Sequence, residues 1–250
     1  MSSTEHTPHT MASLGVVLVA AGRGERLGAD VPKAFYELHG RALVEFSIAV
    51  ITSLPHAGHL VIVAPESHAA ATLSIVDAVL PETSSWDVSV VAGGRERHES
   101  VRFGLAALGE HVDTVLVHDA ARPFASAELF ERVIAEVRRT GAGVIPAIAV
   151  VDTLKRVDEA GVVRETVDRS TLVAVQTPQG FPRDVLESAH STAQLHGELP
   201  TDDAELVQRD GGTVHTVAGE LQAHKLTSPG DLPVLEHFLA ANAAGIDSRA

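Results

Sequence analysis

A glycine-containing turn with cations nearby is the part of the chain best suited to chemistry. Residues 20–28 read AAGRGERLG, and a lysine follows at Lys33. Small residues let backbone N–H groups approach an anion closely, and Arg23, Arg26 and Lys33 add positive charge, so the turn predicts a phosphate site. A structural turn between a strand and a helix is the alternative. No Gly-Lys-Ser/Thr follows, and Leu27 replaces the third glycine of a dinucleotide motif, so neither a P-loop nor that motif is indicated.

The segments around this turn indicate an α/β protein. Leu14–Ala20 is a continuous aliphatic run, typical of a strand buried on both faces of a parallel sheet. The stretches between such runs carry apolar residues at helical spacing, such as Leu129, Val133 and Val137. Ser228 and Pro229 predict the N-cap and first turn of a last helix. We therefore predict a doubly wound, mostly parallel Rossmann-like sheet with helices on both faces. Further strands are predicted at Leu60–Ala64, Val88–Ala92, Val115–Val117, Val144–Ile148 and Leu172–Val175.

One polar segment departs from this alternation. Asp152–Arg169 has two strand-like halves around Glu159-Ala160-Gly161, which predicts a projecting β-hairpin arm. An isolated two-stranded ribbon is only marginally stable, so we expect a second subunit to cover it in a homodimer. The predicted organisation is a tail over residues 1–13, a single domain over 14–244 with the arm inserted at 150–171, and a C-terminal tail over 245–250.

Composition narrows the class of protein. The 250 residues include 19 Lys+Arg and 33 Asp+Glu, a formal net charge of −14, which opposes general binding to nucleic acid or anionic membranes. The absence of cysteine excludes disulfides, thiolate nucleophiles and cysteine-ligated metals, and fits a cytoplasmic location. The longest apolar runs are far shorter than the roughly 20 residues that span a bilayer, so no membrane segment is predicted. The histidines form no zinc-binding motif.

Several sequence blocks carry a resemblance to a known enzyme family. They cover about Leu14 to Leu239, and the block HDAARP is highly specific, whereas many sugar nucleotidyltransferases share the first glycine turn. Together they resemble the 2-C-methyl-D-erythritol 4-phosphate cytidylyltransferases. The blocks are AAGRGERLGADVPKAF, AGGRERHESV at 92–101, VHDAARPF at 117–124, DTLKRV at 152–157, TVDR at 166–169, QTPQGF at 176–181, TDDAEL at 201–206 and HKLTSP at 224–229.

The resemblance implies transfer of CMP from CTP to 2-C-methyl-D-erythritol 4-phosphate, with release of pyrophosphate, for non-mevalonate isoprenoid synthesis. The attacking phosphate oxygen is already an anion, so the site must cancel negative charge and needs no general base. By position, Arg26, Lys33 and Lys225 match the family's catalytic cations. Asp119 matches the ligand of the cofactor Mg²⁺.

The same resemblance assigns two sets of binding residues. On residue types alone, Ser100 is merely a first-turn serine and Thr201-Asp202 a helix N-cap signal. Arg122 has a structural alternative, securing its own loop, and the arm could be a solvated ribbon. The nucleotide set is Ala20, Ala21, Gly22, Gly24, Gly93, Gly94 and Ser100. The substrate set is Thr201, Asp202 and Arg122, with Thr153, Lys155 and Arg169 reaching from the neighbouring subunit's arm.

Alternative functions remain open from the sequence. A ribitol-5-phosphate cytidylyltransferase would share the glycine loop and much of the core. A nicotinamide-binding oxidoreductase would need the glycine spacing that fails here, and a catalytically silent relative would be expected to lose Arg26, Lys33 or Lys225. Relatives in the family often place an acidic or amide side chain shortly before the third cation, where this chain has Gln222-Ala223-His224. Asp119 is therefore the one carboxylate predicted to bind the metal.

Overall fold

The computed structural model describes residues 13–22, 24, 27–28, 31–197 and 199–247, the side chains of 243–247 excepted. Helices and strands alternate along most of this part of the chain. The helices are α1 Leu43–Thr52, α2 Ala69–Val79, α3 Arg97–Ala107, α4 Ala127–Thr140, α5 Arg183–His196, α6 Asp203–Arg209 and α7 Leu232–Asp247. The strands are β1 Ser13–Val19, β2 Glu37–Leu38, β3 Arg41–Ala42, β4 Gly58–Ala64, β5 Trp86–Ala92, β6 Val112–Asp119, β7 Gly143–Ala149, β8 Leu154–Val157, β9 Val163–Val167, β10 Val173–Val175, β11 Gln179–Pro182 and β12 Val214–Ala218.

Eight of these strands form one mixed sheet in the order β10-β7-β11-β6-β1-β4-β5, with β12 paired to β7. The pairs β1–β4, β1–β6, β4–β5 and β7–β12 are parallel. The strands β10 and β11 run antiparallel to their neighbours. The predicted mostly parallel sheet is therefore confirmed, and β11 enters it between β6 and β7.

The alternation of side chains along the central strands divides the core between the two faces of the sheet. In β1, Val16 and Leu18 join the cluster beneath α1, α2 and α4, whereas Val17 joins the cluster beneath α3, α5 and α6. All three side chains are fully buried. Each such burial stabilises the fold by about 1.5–3 kcal/mol, so both faces of the strand must be covered by helices.

Helix α4 shows how local signals place a helix on this sheet. The Ser126 side chain caps it by accepting a hydrogen bond from the N–H of Leu129, and Gly141 ends it in the left-handed conformation. Its predicted apolar stripe, which includes Val133 and Val137, is buried. Capping and periodicity therefore agree with the packing.

The arm is a separate antiparallel ribbon made of β8 and β9. The Asp158 carboxylate accepts hydrogen bonds from the N–H groups of Ala160 and Val162 and so organises the turn. Val157, Val162 and Val163 are each more than half exposed in the single chain. The predicted hairpin is confirmed, and the homodimer that would cover it stays a prediction.

The order of strands reverses between β1 and β6, because the chain runs from β1 to β4 and β5 on one side and returns to β6 on the other. Ligands of open α/β sheets bind beyond the carboxyl ends of the strands at such a point. The glycine turn follows β1, and the HDAARP block begins with the last two residues of β6, so both predicted motifs lie at this edge. Across the described residues, none of the helices is long and apolar enough to span a membrane.

Candidate active site

A cleft opens at the carboxyl ends of β1 and β6. The predicted cations Lys33 and Lys225 line it together with the carboxylate of Asp119. Most of the predicted nucleotide-binding residues also line it. These are Ala20, Ala21, Gly22, Gly94 and Ser100.

The glycine turn positions Lys33 by direct backbone packing. Gly24 has a φ of +68°, and a Cβ there would lie 2.7 Å from the Cβ of Lys33. Glycine is therefore required both by conformation and by the close approach of Lys33. Lys33 itself begins a short 3₁₀ turn, Lys33–Phe35, directly after Pro32. The predicted catalytic cation Arg26 lies outside the described residues, as does Arg23.

The opposite wall of the cleft is the turn between β5 and α3. The N–H of Gly93 donates to the carbonyl of Ala64, and the N–H of Gly94 donates to Oγ of Ser100 at 3.0 Å. Gly93 also lies so close to Ala21 that a Cβ would come within 2.2 Å of the Ala21 Cβ. These contacts join the turns after β1 and β5, so the predicted nucleotide residues from both turns meet in one cleft.

Asp119 stands at the centre of the site with a cation on each side. Its Oδ2 lies 2.5 Å from Nζ of Lys225, its Oδ1 accepts from Nε of Arg97 at 3.1 Å, and its N–H donates to Oγ1 of Thr177. Burial alone would raise the pKa of this carboxyl, but Arg97 and Lys225 outweigh burial and hold the pKa well below its usual range. Asp119 is therefore ionised throughout the physiological range.

Arg97 is a site residue that the sequence analysis missed. Besides its bond to Asp119, its Nη1 donates to Oδ2 of Asp203 at 2.7 Å, and the other oxygen of Asp203 lies 3.1 Å from Nε2 of His190. Burial opposes the charge of Arg97, but the two carboxylates raise its pKa. Both Arg97 and Asp203 stood in quoted blocks, AGGRERHESV and TDDAEL, yet no local pattern pairs residues so far apart in sequence.

A second cavity adjoins the cleft and is lined by the predicted acceptor residues Thr201, Asp202 and Arg122. Arg97, Asp119 and Lys225 line this cavity as well as the cleft. The two cavities therefore share a wall that carries two cations and one carboxylate. A group bound in one cavity could approach a group bound in the other across this wall.

Within the second cavity the predicted helix cap is also confirmed. Asp202 Oδ1 accepts from the N–H of Glu205 at the start of α6, and its Oδ2 accepts from Nε2 of Gln179 at 2.8 Å. The N–H and hydroxyl of Thr201 both donate to Glu205. Thr201 and Asp202 are thus held in place by α6 while they line the cavity.

Two residues of the HDAARP block hold the wall in shape. The guanidinium of Arg122 donates to the carbonyls of Ala223 and Val175, which ties the loop before Lys225 to the end of β6. The buried His118 lies 3.0 Å from Oγ1 of Thr177 and 3.3 Å from the carbonyl oxygen of Arg122. Burial lowers the pKa of His118 to about 4, so its ring is neutral. These contacts agree with the structural alternative for Arg122.

The predicted arm residues do not line either cavity within this chain. Nζ of Lys155 donates to Oγ1 of Thr166 on the arm itself, and Thr153 is exposed. Arg169 borders a different hollow at the base of the arm, beside Val173. A role for these residues at a substrate stays a prediction that requires a neighbouring subunit.

The protein ligands fit Mg²⁺ bound mainly through substrate. Among the described residues no group of three or more histidine, aspartate or glutamate side chains could hold a metal ion. Asp119 is the ionised carboxylate on the shared wall, and Mg²⁺ commonly uses one or two carboxylates with phosphates and water. Gln222 donates its amide to Glu220 and does not line either cavity.

Comparison with known proteins points to one enzyme family. The family model for 2-C-methyl-D-erythritol 4-phosphate cytidylyltransferase matches residues 14–241. The enzyme of that name from Saccharopolyspora erythraea is 44% identical over 91% of this chain and 100% of its own length. The bifunctional enzyme IspD/IspF of Clavibacter michiganensis is 50% identical over 92% of this chain, which spans 55% of that longer protein.

Solved structures agree. The crystal structure of 2-C-methyl-D-erythritol 4-phosphate cytidylyltransferase from Thermus thermophilus is similar with a TM-score of 0.72 and 35% identity, over 92% of this chain and 99% of that one. The 4-diphosphocytidyl-2C-methyl-D-erythritol synthase of Anaerococcus prevotii gives a TM-score of 0.78 at 26% identity, over 92% and 99%. With its fold, its cleft and the family match over most of its length, this chain belongs to the 2-C-methyl-D-erythritol 4-phosphate cytidylyltransferase family of nucleotidyltransferases.

Proposed function

We propose that the cleft binds CTP, that the adjoining cavity binds 2-C-methyl-D-erythritol 4-phosphate, and that CMP is transferred across their shared wall. Family membership makes the chain an enzyme of CTP-dependent cytidylyl transfer in isoprenoid precursor synthesis. The wall shared by the two cavities is the observation that supports the assignment of the two sites. Arg97, Asp119 and Lys225 line both cavities, so the reacting phosphates would meet beside the same charges.

The reaction joins an anion to a more highly charged anion. An oxygen of the acceptor phosphate attacks the α-phosphorus of CTP, a new P–O bond forms, and the bond to the β-phosphate breaks to release pyrophosphate. No proton has to be removed from the acceptor phosphate oxygen, because it is already an anion. The residues of the two cavities therefore act by positioning the phosphates and cancelling their charge. Lys225 is proposed to act at the α-phosphate because it lines both cavities. Lys33, which lines the cleft and not the adjoining cavity, is proposed to act on the triphosphate.

The predicted Mg²⁺ would be held by Asp119 together with nucleotide phosphate oxygens. When bound, it would neutralise phosphate charge. Asp119 suits this role because its flanking cations keep it ionised. The backbone of Ala21, Gly22 and Gly24, with Arg26 of the same turn, is proposed to hold the remaining phosphates. Gly93, Gly94 and Ser100 are proposed to contact the cytosine, and Ala20 to close that side of the cleft.

The acceptor site is proposed to be completed by a second subunit. Arg122, Thr201 and Asp202 are assigned to the acceptor side of the wall. Thr153, Lys155 and Arg169 lie on or beside an arm whose exposed valines favour burial against another chain. A homodimer would bring the Thr153 hydroxyl and the cations Lys155 and Arg169 toward a neighbouring acceptor cavity. We place the reaction in the cytoplasm, the compartment that supplies CTP.

Pyrophosphate release by the purified protein tests this assignment. The protein, with CTP and Mg²⁺, is offered methylerythritol phosphate and ribitol 5-phosphate in parallel, and release with the first alone is expected. Lys225→Met should lower kcat by about 10²–10³. Arg139→Met is the matched control, because Arg139 is an exposed cation on α4 paired with Glu136 and lies outside both cavities. Preference for ribitol 5-phosphate would overturn the acceptor, and normal turnover by Lys225→Met would overturn the placement of the reaction.

A further inference from the structure

We propose that Asp203 and His190 are positioning residues that act through Arg97 to keep one oxygen of Asp119 free for Lys225. This inference rests on the proposed function and adds residues that touch neither substrate site. Asp203 and His190 do not line the cleft or the adjoining cavity. Both side chains are almost completely buried, with Asp203 1% and His190 4% exposed.

Asp119 and Asp203 each accept a hydrogen bond from the guanidinium of Arg97. Nη1 of Arg97 donates to Asp203 at 2.7 Å, and its Nε donates to Asp119 at 3.1 Å. Each carboxylate therefore receives a single bond from Arg97. The remaining oxygen of Asp119, Oδ2, accepts from Nζ of Lys225 at 2.5 Å.

This division is not the arrangement that a lone arginine and carboxylate prefer. The guanidinium is a planar fork that commonly makes two parallel hydrogen bonds to one carboxylate. If Asp203 did not accept from Nη1, Arg97 could rotate and take both oxygens of Asp119. Lys225 would then lose its partner on the shared wall and with it the contact that holds its ammonium there.

Arg97 and His190 keep Asp203 ionised and in position. Burial would raise the pKa of its carboxyl, but Arg97 and His190 outweigh burial and lower the pKa below its usual range, so it stays charged. His190, on α5, is at hydrogen-bond distance from Oδ1 and leaves Oδ2 for Arg97. Asp203 begins α6 and Arg97 begins α3, so the pair also joins two helix ends on the same face of the sheet.

The test is a double-mutant cycle between Asp203→Asn and Arg97→Lys, measured in the full-length protein. Asp203→Asn keeps the shape and one acceptor oxygen but removes the charge that competes with Asp119 for the guanidinium. We therefore expect kcat to fall about 30-fold while the KM for CTP and the calorimetric CTP affinity change less than about 3-fold. Lysine has no fork that could close on Asp119. In the Arg97→Lys background, Asp203→Asn should therefore cost less than about 3-fold in kcat.

A stability control separates positioning from folding. Val207→Ala removes a fully buried side chain of the apolar cluster from the same helix α6, so it should lower Tm while kcat stays within about 2-fold of wild type. The proposal would be refuted if Asp203→Asn reduced kcat by the same factor with Arg97 and with Arg97→Lys. It would also be refuted if Val207→Ala reduced kcat as much as Asp203→Asn does. Should Asp203→Asn fail to fold, His190→Leu and His190→Gln replace it. We expect a loss of kcat in the leucine variant and rescue in the glutamine variant, whose amide can donate, and equal activities would refute the role.

Wild-type turnover distinguishes failure of the positioning role from failure of the proposed function. If the wild-type protein releases pyrophosphate from CTP with methylerythritol phosphate and Asp203→Asn does so at the same rate, only the positioning role is refuted. If the wild-type protein is inactive with CTP and both acceptors, the proposed function is refuted and the positioning role with it.

Discussion

Gly93 offers the sharpest steric test of the nucleotide cleft. A methyl group on Gly93 would lie 2.2 Å from the Cβ of Ala21 and 3.1 Å from Oγ of Ser100. Ordinary van der Waals contact of a Cβ begins at 3.4 Å, so Gly93→Ala must move the two turns apart by about 1.2 Å, the difference between 3.4 and 2.2 Å. No rotation can relieve the contact, because the Cβ of Ala21 is fixed to the backbone.

That displacement is large on the scale of catalysis. Ala21 lines the cleft after β1, and Gly94, the residue after Gly93, lines the opposite wall, so moving the two turns apart widens the cleft proposed to bind CTP. A misplacement of about 1 Å can reduce the rate about 10²-fold. We therefore expect Gly93→Ala to lower kcat/KM for CTP about 100-fold.

Steady-state pyrophosphate release and calorimetric CTP binding measure the effect, with Tm recorded for each variant. Gly230→Ala is the control, because a methyl group there meets only Oγ of Ser228, at 3.7 Å, and its activity and Tm should match the wild type. If Gly93→Ala bound CTP and turned over at wild-type rates while remaining folded, the close packing of the two turns would not define the nucleotide site.

Three further predictions follow from the site and its supports. Lys33→Ala should lower kcat by about 10²–10³ without loss of fold, as seen in turnover and circular dichroism, and wild-type turnover would remove Lys33 from the mechanism. Arg169→Ala should raise the KM for methylerythritol phosphate more than that for CTP, whereas an unchanged acceptor KM would exclude the arm from the substrate site. Asp231 is partly buried, which opposes its charge, but hydrogen bonds from His224 and from the N–H groups of Ser228 and Thr227 lower its pKa to about 2. Its stabilising effect is complete above an unfolded pKa of 3.8 and is lost as the pH falls toward 2. Asp231→Asn should therefore lower Tm by a few degrees near pH 7 and by less near pH 3. An equal deficit at both pH values would contradict this reasoning.

Local patterns predicted most of the fold. The apolar run at Leu14–Ala20 is β1 with its following residue, and the stripe beginning at Leu129 is the buried face of α4. Ser228 and Pro229, predicted as the start of the last helix, lie immediately before α7 in a short 3₁₀ turn. These elements were predictable because hydrophobic periodicity and capping act over only a few residues.

Two strands of the sheet, β11 and β12, were not among those predicted. Gln179–Pro182 forms β11 although it contains glycine and proline, which are poor strand residues. It is a strand because β6 and β7 supply partners on both sides. Val214–Ala218 forms β12 by pairing with β7. In β11 the distant strands outweigh local propensity, whereas Val214, Thr216 and Val217 of β12 favour a strand locally and the sequence analysis did not assign it.

The sequence by itself determined which residue types could serve a phosphate-transfer site and which turns carry them. Lys33, Asp119 and Lys225 were identified from their blocks, and the structure brings all three to one cleft. Only the tertiary structure decided that Arg97 donates hydrogen bonds to both Asp119 and Asp203. Periodicity and capping report on neighbours in the chain, whereas an ion pair depends on distance in space. Asp119 and Lys225, 106 residues apart, meet because the parallel sheet brings the ends of distant segments to the same edge.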